Sequence, residues 1–129
     1  MIQEEYVSFE TAKLLKTKEF DFPCMHVYQD NGNFISLHAL CGWRYACNSE
    51  LVAEYSAPTQ ALAMRWLREM HNLYIVAEPD TCYEHCFYGT IYYKGEDCYT
   101  EQSDYAPDGV DTPEEACEAA IKYCLENLI

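Results

Sequence analysis

Apolar residues recur at helical spacing in three segments of the chain, most clearly within "SAPTQALAMRWLREMHNLYIVAEP", residues 56–79. The apolar positions at i, i+3, i+4 and i+7 are Ala63, Trp66, Leu67 and Met70. This spacing is typical of a helix with one buried face. Pro58 suits the first turn, where an amide hydrogen is not needed. The pattern therefore predicts a core helix with Trp66 buried and with Arg65 and Arg68 on its solvated side.

Two further segments are predicted helices because each combines a cap with an apolar stripe. In "SFETAKLLKTKEF", Ser8 is the predicted N-cap, since its hydroxyl can accept from a free amide of the first turn. In "TPEEACEAAIKYCLENLI", Thr112 and Glu115 form the capping-box pattern, with Pro113 at the first helical position. The apolar stripe of this last helix consists of Cys117, Ala120, Ile121, Cys124, Leu125 and Leu128.

The segment "CMHVYQDNGNFISLHAL" predicts a β-hairpin. Asn31 and Gly32 lie between two alternating runs, which is the strongest short-range signal for this motif. A two-residue turn would place Tyr28 opposite Ile35. The prediction is two antiparallel strands joined by that turn.

Three more strands are predicted in the second half of the chain. The β-branched run "LYIVA" favours a short buried strand. The run "CYEHCFYGTIYY" favours a long strand that turns at "KGED" into a weaker partner, "CYTEQS". Residues 41–54 favour a loop with a short strand near residues 51–54.

These elements predict an α+β fold in the order α-β-β-α-β-β-β-α. We expect an antiparallel or mixed sheet with three helices packed mainly on one face. The length of 129 residues suits a single α+β domain over residues 1–129. No apolar run approaches the ~20 residues that cross a bilayer, so no membrane association is expected.

The chain contains eight cysteines, and its start, "MIQEEYVSFE", lacks the pattern of a secretory signal. We therefore expect a cytoplasmic protein, in which thiols stay reduced. Free cysteine behaves as a small buried hydrophobic residue. Cys117 and Cys124 lie on the stripe of the last helix and are predicted to be buried thiols.

The formal net charge is −14, and the acidic residues are concentrated in one part of the chain. Residues 78–118 contain twelve acidic residues and one basic residue, Lys94. This asymmetry argues against direct nucleic-acid binding, which needs lysine and arginine to replace counterions. It is compatible with a basic protein partner, with a divalent metal, or with acidity that only keeps the chain soluble.

Two short motifs resemble metal sites, but neither leads to a predicted metal. In "CYEHC", a strand would place Cys82 and Cys86 ~13 Å apart, whereas zinc needs its sulfur ligands ~2.3 Å from one ion. In "DYAPDGVDTPEE", Ala106 occupies a position where a calcium loop needs an oxygen ligand, and a turn followed by a helix cap explains the residues. No metal, cofactor or catalytic residue is predicted. A cysteine nucleophile with a histidine base stays open as an alternative.

The tyrosines suggest a surface, since five of the twelve lie between Tyr83 and Tyr99. On a strand, Tyr88 and Tyr92 share one face, and the other face, which carries Phe87, is taken as core. Tyrosine is enriched at protein interfaces, although ordinary sheet packing is the alternative. The predicted binding residues of this acidic tyrosine surface are Tyr88, Tyr92, Glu96, Asp97, Glu101 and Asp104.

The stretches "APTQALAMRWLREMHNLYI", "EEACEAAIKYCLENLI" and "VSFETAKLLKTKEFD" resemble a group of small uncharacterised proteins encoded by gut bacteria, often in prophage-like or mobile elements. This group has no assigned activity, so the resemblance transfers no functional residues. It implies an intracellular accessory protein that acts on a host or phage component.

The leading functional hypothesis is a non-enzymatic intracellular binding module whose acidic C-terminal part docks a basic protein. A sharper version is mimicry of DNA charge that blocks a nucleic-acid-binding protein. The alternative from another class is a small cysteine-dependent enzyme. No oligomeric state is predicted.

Overall fold

The computed structural model describes residues 2–81, 86–95, 99–101 and 109–129. Helices and antiparallel sheets both occur, so the predicted α+β class is confirmed. The helices are α1 (Phe9–Thr17), α2 (Leu37–Cys41), α3 (Gln60–His71) and α4 (Pro113–Tyr123). The strands are β1 (His26–Tyr28), β2 (Phe34–Ser36), β3 (Tyr55–Ser56), β4 (Leu73–Pro79), β5 (Phe87–Lys94) and β6 (Tyr99–Glu101). A 3-10 turn (Asn48–Glu50) and a π-helical segment (Cys124–Leu128) complete the described elements.

The order of these elements agrees with the predicted order, apart from the additional short elements α2 and β3. The chain divides into two compact units, Met1–Ala61 (unit 1) and Leu62–Ile129 (unit 2). The strands form two three-stranded antiparallel sheets, β2-β1-β3 in unit 1 and β4-β5-β6 in unit 2. A single domain over residues 1–129 stays a prediction. Within the described ranges, every helix is too short or too polar to cross a membrane.

Helix α1 begins and ends with interactions that its own sequence supplies. Ser8 is the N-cap, as predicted, and its hydroxyl accepts from a first-turn amide at 3.2 Å. At the other end, Glu19 adopts a φ of 67°, and the amides of Glu19 and Phe20 donate to the carbonyls of Lys16 and Leu15. This is the Schellman pattern, in which the left-handed position is usually a glycine. Leu15 and Phe20 are both fully buried, so the helix end is fixed in the core of unit 1.

Strands β1 and β2 form the predicted hairpin, but the predicted register is wrong by one residue. Tyr28 pairs with Phe34, where a two-residue turn would have paired it with Ile35. The strands are joined through a three-residue loop, residues 30–32, that ends at Gly32 with a φ of 88°. Such loops end in a left-handed residue and are the next most common hairpin connection after the two-residue turn. The Asn-Gly pair therefore predicts the hairpin without fixing its register.

The chain after β2 forms a helix where the sequence predicted strand and loop. The Ser36 hydroxyl accepts from a backbone amide at 3.4 Å and caps α2, and Gly42 ends the helix with a φ of 82°. His38, which the alternating pattern assigned to a strand, therefore lies on α2. The short strand predicted near residues 51–54 forms later, as β3, and pairs with β1.

Unit 1 combines an apolar core with the buried amide side chain of Asn48. The residues of the apolar cluster are Val27, Leu37 and Ala46, with Ile35, Leu40 and Leu51 packed against them. Asn48, on the 3-10 turn, is only 6% exposed. Its Nδ2 donates to the Phe20 carbonyl at 2.8 Å, and its Oδ1 accepts from the Ser56 amide at 2.9 Å. One side chain therefore joins the end of α1 to strand β3.

Helix α3 buries most of its predicted apolar stripe. The buried positions are Ala63, Trp66 and Leu67. Trp66 is 4% exposed, as predicted, whereas Met70 is 61% exposed, so its predicted core position is wrong. Met70 lies in the last turn of the helix, which ends at His71, and Asn72, with a φ of 58°, turns the chain into β4. Arg65 lies on the solvated side, paired with Glu69 at 2.9 Å.

In unit 2, α4 packs on one face of the sheet β4-β5-β6. Strand β4 corresponds to the predicted strand "LYIVA", and β5 and β6 to the described parts of "CYEHCFYGTIYY" and "CYTEQS". The register pairs Ile75 with Ile91 and Ala77 with Gly89, and Ile75, Gly89 and Ile91 are buried. These residues share a face with Phe87, so the prediction that this face belongs to the core is confirmed at its centre, whereas Tyr93, at the end of the same face, is exposed.

Helix α4 has the predicted N-terminus but a slightly rotated buried face. The Thr112 hydroxyl accepts from the Glu115 amide at 3.2 Å, and Pro113 is the first helical residue. The stripe residues that are buried as predicted are Ala120, Ile121, Cys124 and Leu125. Cys117 is only half-buried, and Ala116 is buried in its place, so the predicted burial of Cys117 is wrong. The cause is close packing on β5, which requires small side chains at the centre of the helix face.

That close packing is tightest at Gly89. A Cβ atom placed at Gly89 would lie 2.7 Å from the Ala120 Cβ and 2.9 Å from the Ala116 carbonyl oxygen. Gly89→Ala should therefore force α4 away from the sheet and lower the free energy of unfolding by about 1–3 kcal/mol. Denaturant unfolding of the variant measures this loss. Adding Ala120→Gly should restore part of the stability, and a Gly89→Ala variant as stable as wild type would contradict the contact.

Candidate functional site

The face of the unit 2 sheet opposite α4 carries the predicted tyrosines. Residues that pair in an antiparallel sheet point to the same side. The register pairs Tyr74 with Tyr92, Val76 with Thr90 and Glu78 with Tyr88, which places three rows side by side on β4 and β5. We call this the tyrosine surface, and its defining residues are Tyr74, Glu78, Tyr88, Thr90 and Tyr92. Adjacent rows are ~7 Å apart, since each strand rises ~3.3 Å per residue.

The tyrosine surface is partly covered, with a small residue at its centre. Tyr74 is 39% exposed, and Tyr88 and Tyr92 are half-buried. Thr90 is 3% exposed, and its hydroxyl donates to Glu78 Oε2 at 3.0 Å. The surface is therefore a strip whose middle row consists of Val76 and Thr90 and whose two ends carry tyrosine rings.

An arginine of the chain, Arg68, lies over the ring of Tyr74. The guanidinium of Arg68, on α3, lies 5.6 Å from the ring centroid of Tyr74. This distance is within the range of a cation–π interaction, which is worth ~0.5–1 kcal/mol at an exposed site. The sequence assigned Arg68 to the solvated side of its helix, and it is half-exposed. The Tyr74 ring of this face therefore already lies against a guanidinium group of the chain.

The six predicted binding residues fall into three groups. Tyr88 and Tyr92 lie on the tyrosine surface, and neither is fully exposed. Glu101 pairs with Tyr92 across β5 and β6, so its backbone extends the Tyr74–Tyr92 row to the third strand. The remaining predicted residues, Glu96, Asp97 and Asp104, lie outside the described residues.

Sequence reasoning missed the half of the surface that β4 contributes. Tyr74 and Glu78 belong to the site only because β4 pairs with β5 in this register. The signal was present in "LYIVAEP", where Leu73 and Ile75 alternate with Tyr74 and Val76. That alternation indicates two faces, but it does not indicate which residues of another strand lie opposite.

The charges of the described surface are arranged unevenly along β5. Glu78 lies beside Tyr88 near the start of the strand. Lys94 lies at the end of the strand, six residues from Tyr88 or about 20 Å at the usual rise. Arg68 lies over Tyr74, in the Tyr92 row. The basic groups are therefore at one end of the surface and the Glu78 carboxylate is at the other.

Four of the described thiols have a raised pKa. Burial raises the pKa of Cys24 and of Cys124 to about 12. Burial also raises the pKa of Cys47, together with the nearby carboxylates of Asp21 and Glu50. The pKa of Cys117 is raised as well, by burial and by the carboxylates of Glu114 and Glu118. A raised pKa reduces the thiolate fraction at neutral pH, and the thiolate is the reactive form.

The six described cysteines are free thiols: Cys24, Cys41, Cys47, Cys86, Cys117 and Cys124. Cys124 is buried as predicted. Two described histidines contact aromatic rings, since His26 stacks on Phe34 at 4.9 Å and His71 meets the Trp66 ring edge-on at 4.7 Å. Cys82, Cys98 and His85 lie outside the described residues.

The two motifs that resembled metal sites lie partly outside the described residues, which exclude 82–85 and 102–108. Among the residues that the structure does describe, no three His, Cys, Asp or Glu side chains are grouped to hold a metal ion. The C-terminal part of "DYAPDGVDTPEE" forms the N-terminal cap of α4, in which the Thr112 hydroxyl accepts from the Glu115 amide.

Two open pockets of unit 1 are lined partly by polar and charged residues. The larger one, about 410 Å³, is lined by Gln29, Asp30, Asn31, Ala53 and Glu54. The other, about 370 Å³, is lined by Lys16, Glu19, Phe20, Asp21, Asn48 and Ser49. Several of these polar groups already have partners within unit 1. Lys16 Nζ donates to the Leu51 and Glu54 carbonyls at 3.2 and 2.7 Å, and Asp21 accepts from the Ser49 amide at 2.8 Å. These contacts hold loops of unit 1 in place. We therefore take the tyrosine surface as the better candidate site.

No protein-family model, curated protein or solved structure matches the chain.

Proposed function

We propose that this chain is a non-enzymatic protein-binding module that docks a basic protein through the tyrosine surface and the acidic part of unit 2. The observation that carries the proposal is the register of β4, β5 and β6. It puts Tyr74, Tyr92 and the backbone of Glu101 in one row, and Tyr88 and Glu78 in another, on the face opposite α4. Tyrosine supplies a large contact area and a polar tip, which suits a protein interface.

The charge of unit 2 supports a basic partner. Residues 62–129 contain fourteen acidic and four basic residues, which gives a net charge of −10. Carboxylates are too costly to bury without partners, so most of these side chains must face water. A surface of one sign attracts a partner of the opposite sign and raises the association rate.

The tyrosine rings support an arginine-containing partner in particular. Arg68 on Tyr74 is an internal example of a guanidinium held against a ring of this face. Arginine binds aromatic faces and carboxylates through one planar group, which lysine does not have. A basic segment that crosses the strip would meet both kinds of group.

The raised pKa values of Cys24, Cys47, Cys117 and Cys124 favour binding over a cysteine-dependent reaction. The resemblance to small proteins of bacterial mobile elements supports an accessory role inside a bacterial cell, with the docked protein belonging to the host or to a phage. We accordingly propose a cytoplasmic location.

The proposal predicts strongly salt-dependent binding to an arginine-rich peptide. The test compares wild type with a variant in which Glu96, Asp97, Glu101 and Asp104 are changed to their amides. Fluorescence anisotropy of a labelled peptide gives the Kd at about 0.05 M and about 0.5 M salt, because screening strengthens over this range. The variant should bind at least about tenfold more weakly than wild type at low salt, and the difference should shrink at high salt.

A matched control carries the same change in charge elsewhere, at Glu4, Glu5, Asp30 and Glu126. This control should bind within about threefold of wild type, because scattered exposed charges contribute little to a specific contact. Equal weakening in the control and in the test variant would mean that only net charge matters. Equal affinity of all three proteins at both salt concentrations would refute docking through the acidic part of unit 2.

A further inference from the structure

We infer that Glu78 is the residue of the tyrosine surface that selects the partner, by binding one guanidinium group of an extended basic segment. This inference rests on the proposed function and deepens it. The feature behind it is a half-buried carboxylate that is oriented by the sheet and has no cation beside it among the described residues.

The position of Glu78 is fixed by the strand and by one hydrogen bond. Its backbone pairs with Tyr88, so the carboxylate and the phenol ring emerge on the same face as direct cross-strand neighbours. Thr90, which is 3% exposed, donates its hydroxyl to Glu78 Oε2 at 3.0 Å. An ionised carboxylate has about four acceptor sites on its two oxygens. The bond to Thr90 occupies one of them and leaves capacity for a two-pronged donor such as guanidinium.

The basic residues of unit 2 are engaged or located elsewhere. Arg65 pairs with Glu69 at 2.9 Å, and Lys122 lies 3.9 Å from Glu126. Arg68 lies over the Tyr74 ring, one strand row beyond Thr90. Lys94 is at the far end of β5, about 20 Å from the Glu78 row at the usual rise. These are all four basic residues of unit 2, so none of them neutralises Glu78.

Partial burial makes this carboxylate more selective than an exposed acidic residue. An exposed charge is screened by water and salt and contributes little to one contact. The fold has already partly desolvated and oriented this charge. Binding a cation there therefore costs less free energy for desolvation and ordering, so the interaction is stronger and more specific. The Tyr88 ring next to it adds a second surface for a planar cation. Arginine fits this pair of groups better than lysine because its fork can bind the carboxylate while its plane stacks on the ring.

The test measures coupling between Glu78 and the arginines of the labelled peptide. The variants are Glu78→Gln, Thr90→Val and, as a matched control, Glu126→Gln. Each is titrated with the arginine-rich peptide and with the same peptide in which citrulline replaces arginine. Citrulline has the same shape as arginine but no charge, so the four Kd values for two proteins and two peptides form a double-mutant cycle.

We expect Glu78→Gln to weaken binding of the arginine peptide about tenfold or more and to have little effect on the citrulline peptide. Thr90→Val should weaken binding less, since it releases the carboxylate without removing it. Glu126→Gln should change the Kd by less than about threefold. Thermal melting checks that each variant is folded, because a loss of binding counts only for a variant whose Tm is close to that of wild type.

The outcomes separate this inference from the proposed function. If Glu78→Gln binds like wild type while the four-residue amide variant is weakened, Glu78 does not select the partner and the docking surface stands. A Glu78→Gln effect of the same size on both peptides would also overturn the role of Glu78 as a guanidinium site. If wild type does not bind the arginine peptide at all, both the inference and the proposed function are wrong.

Discussion

Substitution of Trp66 by alanine is expected to lower the free energy of unfolding by about 3–5 kcal/mol. The indole is 4% exposed, so the change removes a large buried apolar surface and leaves a cavity. Whole domains are stable by only ~5–15 kcal/mol, so this is a large share of the total. Denaturant unfolding, followed by circular dichroism, measures the loss.

The same helix provides matched controls for Trp66. Met70→Ala also shortens a large apolar side chain of α3, but Met70 is 61% exposed and its loss should cost less than about 1 kcal/mol. Arg65→Ala, which breaks an exposed ion pair with Glu69, should change stability by no more than about 0.5 kcal/mol. A harmless Trp66→Ala combined with a strongly destabilised Met70→Ala would mean that the buried face of α3 has been assigned to the wrong side.

Replacing Asn48 with alanine is expected to destabilise unit 1 by about 2–5 kcal/mol. The amide bonds to the Phe20 carbonyl and to the Ser56 amide, and Asn48 is 6% exposed. Alanine would leave both of these backbone groups without a partner in a site that water does not easily reach. Each unsatisfied buried group costs about 1–3 kcal/mol. Hydrogen exchange should therefore show loss of protection at the Ser56 amide.

Asn127→Ala is the control for this substitution. Asn127 also donates through its Nδ2 to a backbone carbonyl, that of Tyr123, but it is exposed. Water can replace the lost partner there, so stability should change by less than about 1 kcal/mol. If the two alanine variants were equally stable, the buried amide of Asn48 would have no special role in joining α1 to β3.

Local signals in the sequence predicted the elements that depend on local chemistry. The caps at Ser8 and Thr112 and the burial of Trp66 all follow from residues within one or two helical turns. The errors have equally specific causes. The Asn31–Gly32 pair is compatible with both a two-residue and a three-residue hairpin loop, and the register depends on which one forms. The helix α2 depends on the Ser36 hydroxyl as a cap, which competes with the alternation that indicated a strand.

The candidate site was predictable only in part, because it is built by strand pairing. That Tyr88 and Tyr92 lie on one face follows from the two-residue period of β5 alone. The presence of Glu78 next to Tyr88 depends on the register in which β4 pairs with β5, which no local pattern specifies. The rotation of α4 that buries Ala116 and leaves Cys117 half-buried is another non-local effect, because it is set by the glycine of the facing strand.

The close approach of α4 to Gly89 has a consequence for recognition on the opposite face of the sheet. Because the helix backbone lies almost against the strand, β5 has little room to bend or slide when another molecule presses on its tyrosines. The entropy of holding those rings in place is then lost during folding and not again at the moment of docking. A rigid support of this kind favours an unchanged surface before and after association, so that the incoming segment supplies most of the adjustment.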